Sequence, residues 1–379
     1  MISIVLLGVM IDRATVTFRT LTVAALAVML LAPESVVHPS FQMSFAATLA
    51  LVAGYQQGLP WMTAGADTPL GVSLLAGTAT QPYAAYHFHR LGPYGALTNL
   101  LAMPVISAWV MPAGILGVAA LPFGLDGPCW QLMGAGIDWM ILIALWVTSL
   151  PGAVGRVAAF GSGPLLLCTL GLVLLCLLKT PLRFIGACLI GIAIVSMIRA
   201  PQPDVLVAAD GSAFAIRGGD GRLSVVRSGS DIFAVREWLA ADGDLRTPKD
   251  ATLGNGIRCD DAGCIGRLRD GSPVAVAKTI EAFEEDCRRA ALVVSAREVP
   301  PGCRAFVVDR QVWRRSGAIG LRRVGDSFEV TPTRPVGYDR PWVRAIVPGG
   351  DASEAGSSRP ASPQARDATP RAEDLEAGD

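Results

Sequence analysis

Charge is nearly absent from the first 200 residues of this 379-residue chain, which carry seven basic and five acidic side chains against 25 and 27 in the remainder. A water-soluble domain of that size cannot cover its surface with so few charges. The first half is composed for lipid and the second for water. Histidine is scarce as well, three in all with the last at His89. The second half therefore has no imidazole for the usual hydrolytic two-metal site. A signal peptide is not evident: Met1–Met10 is apolar but follows no basic segment, and Asp12-Arg13 stands where small cleavage-site residues belong. Ten apolar residues are too few to span a bilayer, which takes about 20 in a helix. The chain reads as beginning inside a helix, as a truncated start would.

What the first half does have is apolar runs, at about 18–32, 41–58, 69–83, 94–121, 128–150, 163–178 and 181–198. They predict a polytopic α-helical membrane domain of about seven spans over residues 1–200. Several runs are short and rich in Gly and Pro, which predicts broken or re-entrant helices. Irregular backbone at that depth needs protein or a water-filled cavity to satisfy it, as in a channel or transporter. Lys and Arg in short loops set the orientation. With Arg13, Arg19, Lys179 and Arg183 inside, the region after Arg199 lies in the periplasm, and Arg90 and Arg156 fall on that same outer side.

Polar side chains inside the runs mark candidate sites, because burying them in lipid is costly. Gln42, Ser44, Gln56, Asn99 and Asp138 qualify, and Asp138 is the most isolated, between Ile137 and Trp139. Helix capping, a bond to a neighbouring helix or an interfacial position is the blander account of each. His87 and His89 read as part of a loop rather than as a metal pair.

The stretch Pro33-Glu34-Ser35-Val36-Val37-His38-Pro39-Ser40-Phe41-Gln42-Met43-Ser44-Phe45-Ala46-Ala47 resembles the ComEC competence family, in which a helix end is followed by "hP-x-F-Q-L-S-F-x-A". Tyr86-His87-Phe88 and Asn99-Leu100-Leu101-Ala102-Met103-Pro104 are similar to a second family run. The resemblance covers roughly residues 1–200. It implies an inner-membrane channel that passes single-stranded DNA inward during transformation; the polar residues Gln42, Ser44, Asn99 and Asp138 picked out above are then the channel candidates. It also implies an N-terminal periplasmic domain and earlier helices, which points to a separately encoded N-terminal half and other competence proteins as partners.

Residues 201–347 read as a soluble α/β or α+β domain. Val205–Ala208, Ala213–Arg217 and Leu223–Arg227 are strand-like, separated by Asp210-Gly211 and Asp220-Gly221 turns. Asp231–Ala240 and Thr279–Ala290 have helical spacing; Leu292–Ser295 and Phe306–Asp309 read as buried strands. Residues 348–379, composed of Ala, Ser, Pro, Gly and charge, read as a disordered tail. The family resemblance implies a metallo-β-lactamase-like domain at this position, but its H-x-H-x-D-H motif is missing. Asp242 and Asp244 read as turn residues rather than as ligands of Mg²⁺. The domain is expected to be a degenerate relative or a separate accessory domain, without catalysis, metal or cofactor.

Four cysteines, Cys259, Cys264, Cys287 and Cys303, suggest disulfides in a periplasmic domain. Cys259 and Cys264 lie around a turn that lets their sulfurs meet. A zinc site of four thiolates is the rival, against which the spacing speaks. Cys129, Cys168, Cys176 and Cys188 fall in apolar runs and read as packing residues. Nine arginines against four acidic residues lie between Arg304 and Arg344, interleaved with aromatics. Such a mixture binds single strands through phosphates and stacked bases, with Arg310, Trp313, Arg314, Arg315, Arg322, Arg323 and Trp342 as candidates. An ordinary solvated face with core aromatics is the competing account. Three functions remain open: a DNA-uptake channel component, a membrane-tethered nuclease, and a structural remnant that works only with a missing partner.

Overall fold

Each of the seven apolar runs holds a helix in the structure, a computed structural model that describes residues 17–58, 68–153, 155–227, 229 and 232–335. Helix α1, Phe18–Leu31, starts at Thr17, whose hydroxyl accepts from the Thr20 backbone while the Thr20 hydroxyl returns the bond, a capping box. Pro39 opens α2, Pro39–Gln56, where its fixed φ suits a first helical turn. Helix α3 is Thr68–Phe88. Next come the 29-residue helix α4, Gly95–Phe123, and the 22-residue α5, Gly127–Thr148. Helices α6, Ser162–Leu177, and α7, Arg183–Ile198, close the half. Among the described residues only α4 and α5 are long and apolar enough to cross a membrane by length and composition. Seven helices stand where the sequence predicted seven spans, but only two of them have the length and apolarity of a full span.

Pro and Gly act locally, as the composition implied. Pro82 lies inside α3 and Pro104 inside α4. Directly after Pro104, α4 widens into a π-turn at Ile106–Val110. Proline removes one backbone bond and crowds the preceding turn, and Pro112, just after the π-turn, accounts for the change of winding there.

The helices alternate in direction. The start of α2 meets the end of α3 through Gln42 and His87, 2.8 Å apart. The start of α4 and the end of α5 meet where the Tyr94 hydroxyl donates to the Pro151 carbonyl at 3.1 Å. Tyr83 on α3 donates to Thr169 on α6 at 3.0 Å. Small residues make the closest approaches. A Cβ on Gly186 would stand 2.5 Å from the Gly171 carbonyl oxygen, so the α6–α7 pair exists only because both positions lack a side chain.

The second half is a four-layer sandwich. Strands β3 (Val205–Val207), β4 (Ala213–Arg217) and β5 (Leu223–Arg227) join β11 (Ile319–Val324) and β12 (Ser327–Pro332) in an antiparallel sheet of order β12-β11-β3-β4-β5. The other sheet has the order β10-β9-β8-β7-β6, from Phe306–Val308, Leu292–Ser295, Pro273–Ala277, Gly263–Arg267 and Arg258–Cys259. Its β8-β9-β10 part is parallel. Val205, Ile216, Val274, Leu292, Ile319 and Leu321 are among the side chains that fill the space between the sheets. Helix α8, Phe233–Asp242, covers the first sheet with Val235 and Leu239. Helix α9, Ala282–Arg289, covers the second with Phe283.

Asx turns nucleate the hairpins. Asp210, Asp220 and Asp270 each accept the backbone N–H two residues on, at 2.9–3.0 Å, with Gly211, Gly221 and Gly271 at positive φ. The Asp242-Gly243 pair differs from the sequence reading: Asp242 is the last residue of α8, and Gly243, at φ 73°, is its left-handed cap. The strands β6, β7, β8, β11 and β12 lay outside the sequence expectation. The tail at 348–379 lies outside the described residues.

Candidate functional site

Gln42 sits in the first turn of α2 and uses both ends of its amide. Its Nε2 donates to the Val36 carbonyl at 2.9 Å, and its Oε1 lies 2.8 Å from Nε2 of His87. An amide oxygen only accepts, so His87 Nε2 carries the proton. The Tyr86 ring packs on Phe160, 5.6 Å between centroids. The stretches around Gln42 and around His87, on helices α2 and α3, therefore meet at one end of the helical bundle. His87, read from sequence as a loop residue, belongs to the last turn of α3.

That end also carries the sandwich. His89 follows α3 in a left-handed conformation, φ 53°, and its carbonyl accepts from Val157 at 3.2 Å. The two-residue strands β1, Arg90–Leu91, and β2, Gly155–Arg156, pair beside it. Beyond β2 the chain runs along the C-terminal end of α8. Ala159 donates to the Ala241 carbonyl at 2.6 Å, and the Arg156 guanidinium donates to the Asp244 carbonyl. Gln202 donates to the Ala159 carbonyl at 2.8 Å. The last carbonyls of a helix lack intrahelical partners, and here the connecting segment supplies some. Gly243 is pressed against this segment, where a Cβ would stand 3.1 Å from the Ala158 nitrogen.

Burial pushes the His89 imidazole below its usual range, with Glu237 of α8 working the other way. Its Nδ1 is buried without a hydrogen-bond partner. Burial raises the Asp244 carboxyl, but hydrogen bonds from Arg246 outweigh it and hold the group below the usual carboxylate range.

The other intramembrane candidates do not join this cluster. Ser44 and Asn99 are exposed on α2 and α4, and Gln56 is the exposed last residue of α2. Asp138 is exposed on α5 and makes no hydrogen bond or ion pair with a described residue. An acidic side chain at the centre of a membrane helix costs about 2.5–3.5 kcal/mol on insertion scales.

The basic segment of the sandwich requires correction. Arg304–Arg344 is not one surface, because β10, a short helix α10 (Arg310–Ser316), β11 and β12 divide it. Trp313 is not a stacking platform: it is buried between the sheets, lies against Gly211 and directs Nε1 at the Ser295 carbonyl. Arg322 is paired with Glu329 at 2.5 Å. Arg323 lies over the Phe328 ring and reaches Asp270 at 3.4 Å. Only Arg310, Arg314 and Arg315, exposed on α10, remain as a free cationic group among the candidates within the described residues. Trp342 lies outside them. A sequence signal for this division was present in the alternation Ile319-Gly320-Leu321, which has strand period.

Cys259 and Cys264 are joined by a disulfide across the β6–β7 pair, and Cys287 is joined to Cys303. Cys129, Cys168, Cys176 and Cys188 are free. Asp242 is held by Arg217 in a buried ion pair, and Asp244 by Arg246 at 2.6 Å. Among the described residues no group of three or more His, Cys, Asp or Glu side chains converges. The residues present do not fit the two-metal centre that a metallo-β-lactamase-like domain implies.

Fold and site together define an apolar helical bundle with a sheet-rich domain docked on one end. Residues 1–182, just under half of the chain, match the family described as Competence protein, so this region is similar to competence proteins. No curated protein and no solved structure matches the chain.

Proposed function

We propose that the protein is an inner-membrane, multi-pass component for uptake of single-stranded DNA during transformation, and that it does not hydrolyse the DNA. The family match over residues 1–182 carries this reading. The helical half supports its membrane part: Leu30, Leu31, Ile115, Leu166 and Ile198 point outward, while Ala24, Ala193 and Ala50 are inside. That is the reverse of a water-soluble core. Helices too short for a full span fit as paired or re-entrant elements, with the Gln42–His87 cluster lining the mouth beneath the sandwich.

In this proposal the sandwich lies in the periplasm. Its two disulfides favour an oxidising compartment. Arg19, Lys179 and Arg183 stand at the far end of the bundle. Arg90, Arg156 and Arg199 stand at the sandwich end, where Arg156 is engaged by Asp244. Charge counting over the described residues is thus balanced, and the two disulfides are what supports the periplasmic side. Alkaline phosphatase and green fluorescent protein fused after Arg334 test it; a fluorescent fusion with inactive phosphatase overturns the placement.

Arg310, Arg314 and Arg315 are the residues proposed to meet the strand. Three phosphate contacts give a salt slope of roughly −2, a loss of about 30-fold in affinity for a fivefold rise in salt. The decisive experiment is transformation frequency. Deletion of the gene abolishes uptake of labelled DNA if the reading holds, and Gln42→Ala and His87→Ala lower it while the protein stays in the membrane. Unchanged transformation in the deletion strain ends the proposal. Metal-dependent cleavage of DNA by the purified protein, lost on Asp244→Asn, would favour the nuclease reading instead.

A further inference from the structure

The α4–α5 hairpin has an inner and an outer face, and its one intramembrane carboxylate is on the outer one. Gly136 marks the inner face: a Cβ there would stand 2.8 Å from Val110 Cγ2 and 3.2 Å from Trp109 Cδ1 of α4. Trp109 also donates to the Leu132 carbonyl at 2.8 Å. Residues on a helix advance by about 100° each, so Asp138, two positions after Gly136, points about 200° away from α4. It is exposed and without a described partner, and its closest helical neighbours on that side, Ile141, Leu142 and Leu145, are 50%, 58% and 61% exposed.

Depth sharpens the point. Asp138 is eleven residues from Gly127 and ten from Thr148, the bounds of α5. At 1.5 Å per residue it lies about 15 Å from either end, and an aspartate stem is far too short to reach water from there. The other exposed polar residue on this side, Gln131, is two turns away. The π-turn of α4 packs against Leu132–Gly136, immediately before the carboxylate.

We propose that this face of α5 is covered by a membrane-spanning helix of another chain, which presents a cationic or hydrogen-bond-donating side chain to Asp138. The inference rests on the membrane reading above. A lone carboxylate facing hydrocarbon is costly unless a partner meets it. A second copy related by a two-fold axis would set Asp138 against Asp138, a like-charge pair, so the charge favours a different chain.

Dicyclohexylcarbodiimide, which reacts with protonated carboxyl groups from the lipid phase, tests this on the full chain. Mass spectrometry reads modification of Asp138 in native membranes and in the purified protein reconstituted alone into phosphatidylcholine–phosphatidylglycerol vesicles. The expected result is at least tenfold less modification in native membranes. Equal modification in both means that Asp138 faces lipid, and protection in both means that the chain itself, a second copy or water covers it; either outcome overturns the proposal. A photo-reactive benzoylphenylalanine in place of Leu142 separates a helix from a water-filled space. It is expected to give an adduct with another membrane protein that falls at least fivefold in Asp138→Lys and persists in Asp138→Glu. An adduct insensitive to Asp138→Lys, or with this chain only, overturns it. If an alkaline carbonate wash releases the protein from membranes, the membrane reading itself is what has failed.

Discussion

The two halves of the molecule bury opposite kinds of side chain. In the sandwich the fully buried residues are large, among them Ile216, Leu223, Leu239, Leu292, Ile319 and Leu321. In the helical half the buried positions are mostly small, Ala24, Ala46, Ala50, Ala53 and Ala193 with Gly171 and Gly186, and most large side chains are outside, with Tyr83, Phe160 and Leu165 among the exceptions. The sandwich is held by removing apolar area from water. In the proposed membrane setting a bundle gains nothing by hiding leucine from lipid, and the helices here meet by close backbone approach and a few polar bonds, such as Tyr83–Thr169 and Gln42–His87. One chain thus uses two packing rules on either side of residue 200, and the connecting segment around Arg156–Ala159 joins them.

The largest way to break that contrast is to add a side chain where the bundle has none. Gly186→Leu forces atoms into the Gly171 carbonyl and should separate α6 from α7. At least a tenfold loss of monodisperse, membrane-extracted protein is expected by fluorescence-detected size-exclusion chromatography. A wild-type yield from Gly186→Leu would show that small-residue packing does not hold the bundle.

Truncating a side chain separates the two rules directly. Leu321→Ala, at a position with 0% exposure, should lower the stability of the sandwich by about 2–5 kcal/mol in denaturant titration. Leu166→Ala, at a position 66% exposed on α6, should change little. Similar losses at both sites would mean that both halves are held by the same hydrophobic burial.

The crosslinks rank next. Cys287–Cys303 closes a separation of 16 residues and Cys259–Cys264 one of 5. Chain-entropy estimates give about 3 and about 2 kcal/mol respectively. Replacing each pair by serine, with thiol counting by mass spectrometry, should reproduce that order, and the helical half should be unaffected.

The smallest effect is acid sensitivity. Hydrogen bonds from the Thr252 backbone and side chain hold Asp250 low; for Asp210, burial raises the carboxyl but the bonds from Ser212 outweigh it; at Asp270 the Ser272 backbone bond leads. A depressed folded value means that the contribution is present above the unfolded value of 3.8 and fades as pH falls through the lower folded values. Asp286, raised by burial and by Glu285 and Asp260, opposes the trend. Circular dichroism of the sheet region between pH 5 and pH 2 should show a loss of stability; a flat profile would remove the Asx turns as a pH-dependent support.

Sequence by itself determined much of this layout, because its signals are local. Seven apolar runs became seven helices, and the Asp-Gly dipeptides 210–211 and 220–221 marked hairpins whose strands Ala213–Arg217 and Leu223–Arg227 have the expected bounds. The charge break near residue 200 separates two solvents, and solvent preference is a property of composition. Tertiary structure decided what depends on direction and distance. Trp313 and Arg314 are neighbours in the same arginine-rich segment, yet one ring fills the core and the next side chain faces water, since side chains on a short helix diverge by about 100° per residue. Gln42 meets His87 because α2 and α3 are antiparallel, and Asp138 turns outward because Gly136 faces α4. Those outcomes come from packing between elements far apart in the chain, which no local pattern of residues encodes.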